Sequence, residues 1–458
     1  LTFNQRVFAG TGNVTLSLAS VGSTVVENFG VGSSVTYNND ADPPNITINP
    51  TADLAMNTVY AISYPSGAFI KNTGAGSSFV GTAYTFSTLP VNNKLFSWGE
   101  NEYGALGQNS ATDRSSPTQV PGATWSKITT INGTVRSGGF AVKHDGTLWA
   151  WGYSNYGVLG QSSLLNLSSP VQVGADATWS VPLKGCHTNQ SVGAVKTDGT
   201  LWTWGKNPSG VLGHNNETDY SSPIQIGSGT DWSHGISSTY VLAAIKTDNT
   251  LWMCGTNQSG VLGQNESHDA GTGKYSSPVQ VPGTTWTAAS CGETNTLATK
   301  SDGTLWAWGT NAFGNLGQNN TTDYSSPIQI PGTTWATGVD KMFANAYHCY
   351  AIRTDGTLWG WGSNSKGQLG QNDRTAYSSP KQVPGTTWNS ISVGNDAFTL
   401  ATKTDGTLWA WGNNSEGQVA NNTTNYSSPV QIPGTDWGTG DYQIATSSSG
   451  SNFALQPS

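Results

Sequence analysis

The dipeptide Trp-Gly recurs at Trp98, Trp151, Trp204, Trp308, Trp361 and Trp411, and Cys254-Gly255 takes the missing place, at intervals of 53, 53, 50, 54, 53 and 50 residues. Seven copies at that period constrain the chain more than any other property. A unit of about 50 residues cannot bury its apolar faces alone and must stack on its neighbours. Just upstream stands Asp-Gly-Thr-Leu-Trp, beginning at Asp145, Asp198, Asp302, Asp355 and Asp405, with Asp248 heading the variant Asp-Asn-Thr-Leu-Trp. In the first copy the slot reads NNKLFSWG, from Asn92 to Gly99. Downstream come a turn of the form G-x-L-G-Q-N and then S-S-P, at Pro117, Pro170, Pro223, Pro278, Pro327, Pro380 and Pro429. A last tryptophan closes each unit, at Trp125, Trp179, Trp232, Trp286, Trp335, Trp388 and Trp437.

All 19 tryptophans fall at repeat positions. A residue that recurs in every copy serves the fold, whereas a ligand platform would be irregular, so these rings are expected in the core. The run T-L-W-A-W-G lacks polar alternation and is bounded by Asp-Gly and Gly, which reads as a strand buried on both faces. A sheet sandwiched between two others offers that environment, and the blades of a propeller are such sheets.

Length alone suggests roughly three domains, but repeats stack into one unit of arbitrary length. The fold class expected is all-β: a seven-bladed β-propeller over residues 91–458 with an N-terminal Ig-like β-sandwich over 1–90. One further period after Trp411 would place the next Trp-Gly beyond Ser458, so the chain stops where the slot at Asn92 begins. The C-terminal NFALQ is therefore expected to pair with Lys94 to Trp98, so that N- and C-terminal strands share the last blade and remove exposed edges.

The combination D-G-T-L-W-x-W-G, G-x-L-G and S-S-P-x-Q-V resembles the repeat of the regulator of chromosome condensation family, over about residues 91 to 458. The resemblance implies a seven-bladed propeller. Members include the exchange factor for a small GTPase and a bacterial secreted inhibitor of β-lactamase, so the fold leaves the function open. The exchange-factor role implies a projecting wedge and a basic tail. Here the longest insertion is a few residues around His268 to Lys274 and the net charge is −8, so that role is set aside.

Residues 1 to about 90 read as alternating strands separated by turn residues, and AGTGNVTL, GAFIKN and FVGTAYTFST resemble bacterial Ig-like domains of cell-surface and phage proteins. That family has a strand before LTFNQ, where this chain begins. A longer polypeptide, or a partner that adds a strand, is the expected source of it. Asp40 and Asp42 with Asn39 lie in a loop whose oxygens suit calcium, but turn chemistry explains the same residues.

Little else points to chemistry. Nineteen basic against 27 acidic side chains, and only 10% charged residues, argue against nucleic acid as a partner. No apolar run is long enough for a membrane helix. Cys186, Cys254, Cys291 and Cys349 fall in different units with no C-x-x-C pair, and are expected as free apolar fillers. The six histidines have no metal spacing, and there is no G-x-S-x-G elbow, P-loop or H-E-x-x-H. Neither a metal nor a cofactor is expected, nor a catalytic residue. The acids that break the repeat, Glu293, Asp340 and Asp396, read as solvated loop residues. What varies between units is the pair after each Trp-Gly, and changed loop tips on a fixed lattice present binding surfaces. Tyr103, Tyr156 and Phe313 are the aromatic candidates there, with Lys366 as a basic companion, because large rings anchor interfaces at little entropic cost.

The expectation is a non-enzymatic virion or extracellular surface protein, a bacteriophage tail fibre or capsid decoration that binds a partner through propeller loops. A bacterial secreted or cell-surface adhesin and a propeller-type protein inhibitor are the alternatives. Expected partners are virion or cell-surface proteins and a host surface glycan or protein, with no insertion into a membrane. The Asn-, Thr-, Ser- and Gly-rich surface suits a location on a virion or outside the cell.

Overall fold

Asp-Gly turns and Trp-Gly ends set the strand boundaries in the computed structural model. It describes residues 93–457 apart from 132–136, 186–190, 268–272, 395–396, 420–423 and 448–449, together with discontinuous stretches of 7–87. The chain divides into two compact units, Leu1–Val91 and Asn92–Ser458.

Among the described residues the second unit carries seven antiparallel sheets, numbered here I to VII. Sheet II shows the plan: Trp125–Ile131, Gly138–Lys143, Leu148–Gly152 and Leu167–Gln172 follow in order. Sheets III to VII repeat it from Trp179, Trp232, Trp286, Met342 and Trp388. Sheet IV gains a fifth strand, because Lys184–Gly185 pairs in parallel with Ile236 and Ser237. Sheet I is drawn from both ends of the unit: Ile444–Thr446, Asn452–Gln456, Lys94–Gly99 and Arg114–Gln119. In it Asn452–Gln456 lies antiparallel to Lys94–Trp98, Gln456 opposite Lys94 and Asn452 opposite Trp98. The first strands of neighbouring sheets pack beside one another, which places them innermost in an all-β, propeller-like fold.

Each repeated residue has a local reason. In Asp-Gly-Thr-Leu-Trp the Asp198 Oδ1 accepts from the Thr200 amide at 3.0 Å and its hydroxyl at 2.7 Å, and that hydroxyl accepts from Trp202 Nε1 at 2.8 Å. The same relay recurs in the sheets that carry the motif, which makes this aspartate turn chemistry. The Trp-Gly indole turns the other way and donates to a loop carbonyl of the preceding sheet. Trp151 reaches Ala105 O at 3.0 Å, Trp204 reaches Val158 O at 2.8 Å, and Trp361 reaches Asn315 O at 2.9 Å. Trp98 of sheet I reaches Gln418 O of sheet VII at 3.0 Å, so the chain of links returns to its start. In sheet IV Cys254 Sγ lies 3.5 Å from Val211 O, a weaker substitute.

The glycine of the G-x-L-G turn and the serine of S-S-P are two halves of one contact. A Cβ on Gly104 (φ +78°) would lie 2.4 Å from Ser168 Cα in the next sheet, and one on Gly157 would lie 2.3 Å from Ser221 Cβ. Only glycine lets the loop approach that closely in this conformation.

Among its described residues the first unit holds a four-stranded sheet, in which Val25–Gly30, Asn13–Leu18, Val59–Ser63 and Tyr84–Ser87 are neighbours in that order, and two two-stranded sheets. Its core gathers Val14, Leu16, Phe29, Ile46, Tyr60 and Phe69. The calcium expectation at Asp40 and Asp42 falls outside the described residues.

Candidate functional site

The loop after each Trp-Gly is held from inside by one carboxamide. Asn101 Oδ1 accepts from the Leu106 amide at 2.8 Å, while its Nδ2 donates to Ser110 O at 3.0 Å and Thr112 O at 2.8 Å. Asn207, Asn257, Asn311, Asn364 and Asn414 do the same in their sheets, and Ser154 replaces it in sheet II. A buried polar side chain with its bonds satisfied fixes the loop without help from a ligand.

On this frame the tips fall into two classes, and the residue two positions after the tip decides which. In sheets I to IV that residue is Ala105, Val158, Val211 or Val261, and the tip residues Tyr103, Tyr156, Ser209 and Ser259 sit at φ 52° to 58°. In sheets V to VII it is Asn315, Gln368 or Gln418, whose side-chain oxygen accepts from the tip amide of Phe313 at 3.4 Å, Lys366 at 2.9 Å or Glu416 at 2.9 Å. None of these three tips has positive φ. The left-handed tips carry a backbone cost that the surrounding frame holds in place.

Each predicted aromatic spans to the next sheet. The ring of Tyr103 stands 5.0 Å from that of Tyr153 in sheet II, and Lys206 Nζ of sheet III lies 4.8 Å from the Tyr156 centroid. Phe313 meets Tyr347 of sheet VI edge-on at 5.2 Å. Tyr156, Phe313 and Tyr347 are 37%, 46% and 43% exposed, and Lys366 is exposed on the sheet VI tip. The four predicted residues do not form one patch. Tyr103 and Tyr156 belong to an arc over sheets I to III, whereas Phe313 and Lys366 belong to sheets V and VI, with the small tips Ser209 and Ser259 between.

Sequence reasoning missed Tyr153, Lys206 and Tyr347, and also Leu164 and Leu165, which are 64% and 75% exposed in the sheet II loop. The signal was present for the leucines, because the other copies are polar at those places, as in Glu217-Thr218 and Thr321-Thr322.

The other end of the strands opens on the hub. A cavity of about 280 Å³ there is lined by Lys127, His234, Thr287, Val339, Asp441 and Tyr442 among others. Burial lowers the pKa of Lys127 and Lys341, partly offset by the Asp441 carboxylate, and burial also lowers that of His234. The hub corrects the reading of Asp340 as a solvated loop acid. It is fully buried, pairs with Lys184 of sheet IV and accepts from the Tyr442 amide. The surrounding inner strands exclude water there, which the position of Asp340 between repeats did not reveal. Glu293 is half-buried, and Asp396 lies outside the described residues.

Cys254, Cys291 and Cys349 are free and buried, and burial pushes the Cys291 and Cys349 thiols up to about 12, so neither is a nucleophile at neutral pH. Cys186 lies outside the described residues. Among the described residues no three His, Cys, Asp or Glu side chains are grouped to hold a metal ion, and no helix is long and apolar enough to cross a membrane.

Comparison with known proteins places this geometry. The ultraviolet-B receptor UVR8 of Arabidopsis thaliana is 25% identical over 303 residues, covering 63% of this chain and 65% of that protein. The E3 ubiquitin-protein ligase HERC2 of Homo sapiens is 28% identical over 297 residues, 64% of this chain but 6% of the ligase. The mitochondrial RCC1 domain-containing protein RUG3 of Arabidopsis thaliana is 26% identical over 343 residues, 68% of this chain and 76% of that protein. The chain thus spans just under two thirds of UVR8 and a small part of HERC2. Among solved structures, Prp20p from Saccharomyces cerevisiae, described with its binding to Gsp1p and histones, superposes with a TM-score of 0.67 at 16% identity, over 80% of this chain and 92% of that one. Human WBSCR16 gives 0.67 at 17% identity, over 80% and 99%. At such identities the likeness shows the fold alone.

These relatives overturn the expectation of a phage tail fibre, capsid decoration, adhesin or secreted inhibitor. They are plant and animal proteins named as a receptor, a ubiquitin ligase and a mitochondrial protein. The expected virion and host-surface partners and the location on a virion or outside the cell fall with it. The composition misled because an Asn-, Thr- and Ser-rich surface reports contact with water and not the compartment that holds the water. The family model described as the RCC1-like domain matches residues 95–456, so this chain belongs to the RCC1-like domain family.

Proposed function

We propose that this chain is a non-catalytic regulatory module that binds a protein partner through the loop tips of a closed seven-bladed propeller. Residues 1–90 then serve as an Ig-like spacer. The observation that carries the reading is the set of loop-tip rings, half-buried Tyr103 and exposed Tyr156 and Phe313, each braced against the next sheet on a loop fixed from inside by a buried polar side chain. A preorganised aromatic loses little entropy on binding, so such rings anchor interfaces. Lys366, Leu164 and Leu165 extend the surface. The relatives support a partner-binding role: UVR8 is named as a receptor, and Prp20p is described with its binding to Gsp1p and histones. The match to HERC2 covers too little of that protein to bring ligase activity here.

The test is quantitative affinity capture from eukaryotic extract. Tyr103→Ala, Tyr156→Ala, Phe313→Ala and Lys366→Ala are compared with Thr333→Ala, an exposed position at the other end of the strands. Loss of the same captured proteins in the tip variants, and retention in the control, is expected. Equal capture by all five would refute the assignment.

A further inference from the structure

Six of the seven sheets close the turn end of their strands with a cation set between two indoles. Lys143 Nζ lies 3.9 Å from the Trp149 centroid and 4.8 Å from that of Trp125. Lys196, Lys246, Lys300 and Lys403 repeat the arrangement at 4.1 to 4.9 Å, and Arg353 places its guanidinium carbon 4.2 Å from Trp359 and 4.8 Å from Trp335. In sheet IV the acid before the closing tryptophan joins in, with Asp231 3.1 Å from Lys246.

Sheet I has the slot without the cation. Leu455 pairs with Leu95 as Val142 pairs with Leu148, so Gln456 occupies the place of Lys143. Phe96 stands where the second indole stands elsewhere, edge-on to Trp437 at 5.6 Å. Asp436 precedes Trp437 as Asp231 precedes Trp232. Among the described residues no cation lies over Trp437. A cavity of about 690 Å³ opens at this position, lined by Asp405, Asp436, Trp437, Gln456 and Lys94 among others. Two carboxylates face one ammonium, that of Lys94.

We infer that this cavity binds an organic cation from outside the chain, the ammonium or guanidinium group of a lysine- or arginine-like side chain. An aromatic face attracts such a group electrostatically, and the attraction grows when a carboxylate is beside it. The six filled slots show that the geometry accepts both a primary ammonium and a guanidinium. Both the cavity and the filled slots lie at the turn end of the strands, the end away from the loop tips, so the inference does not depend on the reading of the tips.

The test titrates the full chain with three probes: N-acetyl-lysine methylamide, a seven-residue neutral peptide with one central lysine, and the same peptide with norleucine in place of lysine. Binding is followed by calorimetry. Saturable binding of a lysine probe, with none for norleucine, is expected. A response to both lysine probes or to the amide alone identifies a free amine as sufficient, and a response to the peptide alone identifies a protein segment. Asp436→Asn is expected to weaken the dissociation constant about threefold or more. Gln456→Lys would place the chain's own cation in the slot, as in the other six sheets. It is expected to abolish binding and to raise the melting temperature. Absence of binding to either lysine probe, equal binding of the norleucine peptide, or a folded Gln456→Lys chain that binds as before would each overturn the inference.

Discussion

The ion pair at the hub permits a sharp energetic test. Lys184 comes from the parallel edge strand of sheet IV, Asp340 precedes sheet VI, and the Tyr442 amide that donates to Asp340 precedes sheet I, so one carboxylate joins three sheets that are not neighbours. The Asp340 carbonyl also accepts from Ile391 of sheet VII at 3.0 Å. The Asp340 side chain is 0% exposed and that of Lys184 9%, so neither charge is relieved by water if its partner is lost. Removing one member of a buried pair costs about 3–5 kcal/mol, because the remaining charge stays desolvated. Asp340→Asn and Lys184→Met should each fall in that range. The double variant removes both charges and keeps the Asn carbonyl as acceptor for Tyr442, so its cost should be only about 1–2 kcal/mol. The coupling between the sites is then at least about 4 kcal/mol, above the roughly 0.5–3 kcal/mol usual for residues in contact, because each single variant carries the cost of one stranded charge. Urea unfolding of the four proteins, followed by far-ultraviolet circular dichroism, measures it. If the double variant is as unstable as the two single variants added together, the charges act independently and the cross-hub pairing is wrong.

Two further outcomes follow from the repeat chemistry. Trp361→Phe strands the buried Asn315 carbonyl and should cost about 2–4 kcal/mol, whereas Trp359→Phe, half-exposed and bonded only to the Thr357 hydroxyl, should cost under about 1 kcal/mol. Equal losses in urea midpoint would contradict the inter-sheet link. The Asp198, Asp248, Asp302, Asp355 and Asp405 carboxyls are held below the usual range by the hydroxyl and amide of the threonine two residues on. A carboxyl depressed in the folded chain contributes stability above its unfolded pKa and loses it as the pH falls through the folded value. The melting temperature should therefore drop progressively below about pH 4, and Thr304→Val should make that drop shallower. An unchanged acid slope in Thr304→Val would remove the hydroxyl from the account.

Where the physics is local and periodic, it could be read from the residues. Asp-Gly before an apolar run and Gly after it bounds a strand whatever lies beyond, and the spacing of Trp98 to Trp411 fixes how many such strands there are. The loop tips were legible as the variable part for the same reason. Tyr103, Tyr156 and Phe313 could be nominated as loop-tip rings, but not assigned neighbours, since Tyr153, Lys206 and Tyr347 belong to other sheets. The functional setting was misread, because surface composition carries no record of the partner.

The sequence by itself determined the period, the strand type and the places where tryptophan must lie, since each depends on residues within a few positions of one another. The tertiary structure alone decided which carbonyl each Trp-Gly indole reaches, 46 residues back in the case of Trp361, and that Asp340 meets Lys184. It also exposed the slot at Gln456, visible only when sheet I is aligned with the six that carry a cation. Burial and pairing across sheets depend on which surfaces face each other in space, and a linear pattern repeated seven times carries no record of which side chain of one copy meets which of another.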